Sequence, residues 1–127
     1  MNNNGIILLV DNDLCLNNET QNEFYKRDYT VLTATSYSEA RAILKEADPD
    51  VIIMEAILPD GDGFDFFKEI SGCTTASIVI LTSKSDRSDV IRGIKMGCEE
   101  YIKKPFRKDV MIARIEALIQ WRKRWRA

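Results

Sequence analysis

A chain of 127 residues is one domain's worth of polypeptide, long enough to bury a core. Its 45% hydrophobic and 30% charged residues suit an ordinary soluble globule; no apolar run reaches the roughly 18 residues of a membrane span, and the MNNNG start lacks a signal peptide's basic-then-apolar pattern. The net charge of −2 hides an asymmetry, since WRKRWR at 121–126 holds four cations and no anion, leaving 14 basic against 20 acidic residues elsewhere; with no histidine, histidine-based catalysis, metal ligation and phosphohistidine chemistry are excluded.

Residues 5–10 (GIILLV) form a nearly continuous apolar run, as in a strand buried on both faces, and end in Asp11-Asn12-Asp13. Asp13 suits the N-cap of a helix over 14–27, whose pattern is weak: Leu14, Phe24 and Tyr25 stand among polar neighbours. A second strand at 29–34 (YTVLTA) leads to a firmer helix over 37–47. Ser36 and Glu39 make an S-x-x-E capping box, Ala40, Ile43, Leu44 and Ala47 the inward stripe, and Asp48-Pro49 the stop. The third strand at 50–54 (DVIIM) runs into Glu55, a carboxylate at the end of a buried run, then into a Gly-Asp turn and a helix over 64–71. SIVILT (77–82) is the fourth strand and ends in Thr82-Ser83. A helix over 87–96 stops at Gly97, suited to a left-handed helix end. EYI (100–102) gives a short fifth strand followed by Lys103-Lys104-Pro105, and residues 107–124 place Ile112, Ile115, Leu118 and Ile119 at helical spacing. The basic end reads as a solvated helix terminus, where cations suit the helix dipole, rather than a nucleic-acid patch. Cys15, Cys73 and Cys98 lack CxxC spacing, which argues against a disulfide framework or zinc site and for a reducing, cytoplasmic setting.

Five βα units predict an α/β fold: a doubly wound five-stranded parallel sheet with helices on both faces and right-handed crossovers. Sites in such sheets lie beyond the carboxyl ends of the strands. There the sequence gathers Asp11, Asn12, Glu55, Thr82, Ser83 and Lys104. Carboxylates and an amide suit a hard, octahedral Mg²⁺, and a hydroxyl and a lysine suit phosphoryl oxygens.

The segments ILLVDND, VIIMEAILPDGDGF, IVILTS and GCEEYIKKPF, in that order and spacing, resemble the receiver domain of bacterial two-component response regulators over essentially the whole chain. The resemblance implies a flavodoxin-like strand order 2-1-3-4-5. It implies a receiver domain over 1–120, with 121–127 as the end of the last helix or the start of a linker to an effector domain. In that family a histidine kinase passes a phosphoryl group to an aspartate beside Mg²⁺, which is held by acidic side chains and one backbone carbonyl. A Thr or Ser then moves to meet the phosphate, and an aromatic side chain turns inward. By position, Asp11 matches the first acidic metal-site residue, Glu55 the phosphoacceptor, Ile57 the carbonyl, Thr82 the hydroxyl switch, Tyr101 the aromatic switch and Lys104 the phosphate-side lysine. Lys104-Pro105 matches a step that is often cis in the family.

Two positions depart from the family pattern: Asn12 stands in place of the second acid, and Glu55 in place of the acceptor aspartate. With carboxylates only at Asp11 and Glu55, Mg²⁺ held by Asp11, Asn12, Glu55 and Ile57 is expected to bind weakly or not at all. The added methylene is expected to carry the Glu55 carboxylate outward by about 1.5 Å. Displacement of about 1 Å can cost about 100-fold in positioned chemistry, so phosphorylation is expected to be impaired or absent, leaving Glu55 to pair with Lys104. The expected partners are a histidine kinase or another regulatory protein, and a second copy through the fourth helix, fifth strand and fifth helix. Arg87, Asp89, Arg92, Glu99, Glu100 and Arg114 there resemble the dimer face of winged-helix (OmpR/PhoB-type) regulators, whereas Val110 departs from it. The chain then reads as the regulatory part of a transcription regulator, with DNA contacted only through a missing effector domain. Two readings stay open beside it. One is a single-domain receiver acting by protein contacts. The other is a haloacid-dehalogenase-type phosphatase with Asp11 as nucleophile and Asp13 as general acid, for which a later acidic pair and a cap are lacking.

Overall fold

Apolar runs without alternation can satisfy their side chains only between two layers of helix, and these runs do so. The structure is a computed structural model that describes residues 4–84 and 86–126, for Arg126 the backbone alone; Met1–Asn3 of the predicted leaderless start and Ala127 of the predicted linker lie outside the described residues. Ile6–Val10 (β1), Thr30–Ala34 (β2) and Val51–Met54 (β3) are followed by a two-residue antiparallel pair, Ile57–Leu58 (β4) and Gly61–Asp62 (β5). The predicted fourth and fifth strands are therefore β6 (Ser77–Thr82) and β7 (Glu100–Lys103). One five-stranded parallel sheet has the order β2-β1-β3-β6-β7, the expected doubly wound arrangement. The helices are α1 (Leu14–Tyr25), α2 (Tyr37–Leu44), α3 (Gly63–Ile70), α4 (Arg87–Met96) and α5 (Lys108–Arg126).

Side-chain alternation divides the strands between two cores. Leu8, Val10, Ile52, Met54 and Ile80 pack with Tyr37 of α2 and Phe64 and Phe67 of α3. On the other face, Ile7, Leu9, Ile53, Val79 and Leu81 meet Phe24 of α1 and Met111, Ile112, Ile115 and Ile119 of α5. α4 is held least: Gly93 is its buried residue, and Ile91 and Ile94 are exposed.

The helix ends follow their capping chemistry. The Asp13 carboxylate accepts the Leu16 N–H at 3.1 Å, the N-cap role read from the sequence. The apolar pattern expected for α1 is corrected, however. Leu14 and Tyr25 face solvent, and the inner face is Asn17, Thr20 and Phe24, spaced three and four apart. α1 stops at Tyr25, and Asp28, with φ 64°, turns the chain towards β2. At α2, the Ser36 hydroxyl accepts the Glu39 N–H at 3.0 Å, but the Glu39 carboxylate returns to the Thr35 N–H at 2.6 Å, one residue earlier than a standard capping box. Gly97 closes α4 at φ 101°, as expected.

Gly63, the first residue of α3, lies hard against the end of β3. A Cβ there would stand 2.7 Å from the Glu55 carbonyl oxygen and 2.8 Å from the Ala56 Cα, whereas one at Gly72 would meet nothing within 4 Å. Gly63→Ala is expected to lose about 2 kcal/mol of stability, as forced overpacking does. Gly72→Ala should stay within about 0.5 kcal/mol of the parent. Urea-unfolding midpoints of the two variants separate these outcomes.

Candidate functional site

The carboxyl ends of β1, β3, β6 and β7 bring the candidate residues into one cup. Asp11 directly follows β1. Its N–H donates to the Ala34 carbonyl at 2.9 Å, and its carbonyl accepts the Asn17 side-chain amide at 2.7 Å. Asp11 is 1% exposed, and its Oδ1 accepts the Asp13 N–H at 3.0 Å. Glu55 directly follows β3 and is 8% exposed, its N–H donating to the Val10 carbonyl at 2.9 Å. Lys104 leaves β7, its N–H bonded to the Thr82 carbonyl at 2.8 Å, and joins Pro105 through a cis peptide.

The Lys104 ammonium joins both acids. Its Nζ lies 2.7 Å from Asp11 Oδ2 and 2.9 Å from Glu55 Oε1. Burial disfavours the ammonium, but its hydrogen bonds to Asp11 and Glu55, with their negative charge, outweigh that cost and hold the Lys104 pKa above the ordinary 10.5. The second Glu55 oxygen turns back on the chain: Oε2 accepts the Ala56 N–H at 2.6 Å and the Ile57 N–H at 3.4 Å. The longer side chain thus meets Lys104 with one oxygen, as expected, while its second oxygen curls back. The extra methylene gives the arm enough freedom to fold over its own following amides, and it stays buried.

The remaining predicted residues divide into those near the cup and those turned elsewhere. Thr82, 1% exposed, accepts the Lys84 N–H on its hydroxyl at 3.1 Å. Tyr101 packs its ring over Gly93 and donates its hydroxyl to the Lys84 carbonyl at 2.5 Å. Both of these side chains therefore bind the same peptide unit region after β6. Burial first, then the nearby Asp89 carboxylate, pushes the Tyr101 phenol up to about 12. Asn12 is exposed beside the cup, and Ile57 is 56% exposed within β4. Arg92, of the predicted dimer face, is exposed on α4, with its guanidinium 4.4 Å above the Phe64 ring on α3. Glu99 accepts the Ser77 hydroxyl at 2.9 Å, and Glu100 pairs with Arg114 at 3.0 Å.

Three contributors carried no sequence signal of this kind. Tyr37 donates its hydroxyl to the Glu55 carbonyl at 2.6 Å, and Asp60 accepts the Tyr37 and Ser38 N–H groups at 3.1 and 3.0 Å. Lys84 joins Thr82 to Tyr101 through its backbone and pairs its own ammonium with Asp89 at 3.7 Å. Asp60, adjacent to Pro59 in the Gly-Asp turn, was the most legible of them.

The donor set does not fit a divalent ion well. Among the described residues no three His, Cys, Asp or Glu side chains converge to hold a metal, and both carboxylates of the cup are bonded to an ammonium.

The response regulator receiver domain family model matches residues 7–116. The chain is 30% identical over 115 residues to the transcriptional regulatory protein KdpE of Mycobacterium tuberculosis, covering 91% of this chain and 51% of that protein. It is 30% identical over 112 residues to the response regulator protein GraR of Staphylococcus haemolyticus, covering 88% and 50%. The chain thus spans about half the length of the curated relatives it matches. Among solved structures, a two-component response regulator from Clostridium difficile superposes with a TM-score of 0.87 at 25% identity, covering 91% of this chain and 95% of that one. The non-phosphorylated HemR receiver domain of Leptospira biflexa gives 0.84 at 29% identity, covering 90% and 93%.

Removing the shared cation tests the geometry. Lys104→Met leaves two buried carboxylates without it and is expected to cost about 2 kcal/mol, less than the roughly 3–5 kcal/mol of a fully buried broken pair because 21% of the Lys104 side chain is exposed. Since the folded-state pKa of Lys104 is raised, its contribution is complete below 10.5 and is lost as pH climbs through the higher folded value. The stability gap between parent and variant should therefore hold at neutral pH and shrink above 10.5, as read by urea unfolding at each pH.

Proposed function

Because the chain belongs to the response regulator receiver domain family, we propose that it is a receiver whose pocket is held by its own Glu55–Lys104 pair in place of an acyl phosphate. Receiver domains are regulatory modules that work with histidine kinases and effector domains, and they generally bind Mg²⁺ at the phosphorylation site. The observation that carries the finer reading is the single ammonium bonded to Asp11 and Glu55 at once. A divalent ion would have to share both acids with the repelling Lys104 ammonium, and Asn12 adds no charge to attract one, so Mg²⁺ binds weakly or not at all. Glu55 Oε2 is engaged by the Ala56 N–H, which lowers its reactivity as an attacking oxygen. Phosphoryl acceptance is accordingly impaired or absent.

The state held by the pair follows from the other two residues. Thr82 and Tyr101 are both tied to Lys84, with Tyr101 packed inward over Gly93, and this favours a domain fixed with its aromatic switch turned in. No enzymatic role is assigned. Asp13, the general acid of a phosphatase reading, is engaged as the α1 cap. The sheet's doubly wound order and the match over 7–116 favour signalling over hydrolysis.

The relatives named as transcriptional regulatory proteins are about twice the chain's length. On that ground residues 1–120 are the regulatory domain of a DNA-binding regulator, and 121–127 are the end of its last helix or the start of the linker to an effector domain. Dimerisation uses α4, β7 and α5 with Arg92, Glu99, Glu100 and Arg114. The setting is the cytoplasm; among the described residues no helix is long and apolar enough to cross a membrane.

Incubation with Mg²⁺ and acetyl phosphate is expected to leave the intact mass unchanged, while Glu55→Asp combined with Asn12→Asp gains one labile phosphoryl group. A phosphoryl adduct on Glu55 of the parent chain overturns the reading.

A further inference from the structure

Cations on this domain tend to have acidic partners: Lys26, Arg27, Arg41, Lys84, Lys108 and Arg114 each meet a carboxylate. Outside the basic end of α5, three that do not are gathered in one place. Lys68 on α3 and Arg92 and Lys95 on α4 line the groove between these helices, and among the described residues none of the three forms an ion pair. Asp65 is the acidic residue of the described lining. The accessible apolar surface between the cations comes from Ile91, 44% exposed, and the half-buried Met96, with Phe64 and Phe67 buried beneath them. Arg92 lies over the Phe64 ring, a contact that orders the guanidinium without neutralising it.

Three unneutralised cations around an apolar floor stand out on a chain with 14 basic and 20 acidic residues outside its basic end. α4 itself gains little from the arrangement, because it buries only Gly93. We infer that the α3–α4 groove docks an acidic amphipathic helix of a partner protein, with its apolar stripe on Ile91 and Met96 and its carboxylates on Lys68, Arg92 and Lys95. Helix-in-groove recognition needs this combination of apolar floor and charged rim, and complementary charge sets both encounter rate and orientation. This chain's own helices do not supply the matching pattern. The exposed Trp121 and Trp125 of α5 stand among cations, and the exposed Leu14 and Tyr25 lie at opposite ends of α1. The groove is separate from the Lys104 cup, so the inference does not depend on how Glu55 behaves.

The test is a low-salt NMR titration of the ¹⁵N-labelled chain with a synthetic amphipathic helix of leucine and glutamate. Amide shifts are expected to concentrate at residues 64–71 and 88–96. Arg92→Glu with Lys95→Glu, both on the exposed surface, should weaken binding about tenfold, since each exposed pair is worth up to about 1 kcal/mol. Lys123→Glu with Arg124→Glu should leave binding unchanged. The inference is overturned by shifts confined to the α5 end, by no shifts, or by equal binding of the same peptide with lysine for glutamate. Groove shifts that grow with protein concentration before any peptide is added also overturn it, because the occupant is then a second copy of this chain.

Discussion

A single ammonium nitrogen sets the chemistry of the sheet's carboxyl edge. Asp11 and Glu55 follow the neighbouring central strands β1 and β3, whereas Lys104 comes from the edge strand β7, beyond β6. Two carboxylates drawn into one largely buried cup repel each other and lose hydration, and both effects oppose closing that edge. Lys104 offsets them by bonding to each at hydrogen-bond distance. Its aliphatic stem is covered and its charged head reaches inward, so the edge strand is tied electrostatically to the centre of the sheet as well as by its ladder with β6.

Around that nitrogen the backbone of Glu55 is restrained from several directions. Its N–H is bonded to Val10 and its carbonyl receives the Tyr37 hydroxyl, in space that Gly63 leaves by lacking a Cβ. Burial first, then the charge of Glu55, holds the Tyr37 phenol well above its ordinary pKa, so it remains a donor. Asp60 fastens the start of α2 beside it. The freedom left to Glu55 is in its side chain, and there one oxygen is on Lys104 and the other on the Ala56 amide. The loop after β6 is fastened in a comparable way, with the backbone of Lys84 bridging Thr82 and Tyr101.

The central strands β1, β3 and β6 were legible because a strand covered on both sides must be nearly apolar throughout, and the edge strands β2 and β7 because short runs stood between helical patterns. β4 and β5 were not, since two residues carry no periodicity. α1 misled because its inner face includes Asn17 and Thr20, polar residues that the apolar pattern skips. At the cup, Asp11, Glu55, Thr82 and Lys104 could be placed from strand ends alone, since topology puts those ends together. The contact of Arg92 with Phe64 could not be read, because helical spacing tells which residues share a face but not which neighbour they touch. Tyr37 reads as an ordinary apolar residue after a cap, and its bond to a carbonyl 18 positions away belongs to the tertiary fold. The curl of Glu55 depends on side-chain torsions, on which a letter sequence is silent.

An acyl phosphate decays, and a conventional receiver owes its timing to that decay. The carboxylate that Glu55 presents to Lys104 is written into the gene and has no half-life shorter than the polypeptide's own. On the proposed reading, output then tracks how many copies the cell holds, and synthesis and proteolysis become the clock that hydrolysis would otherwise supply.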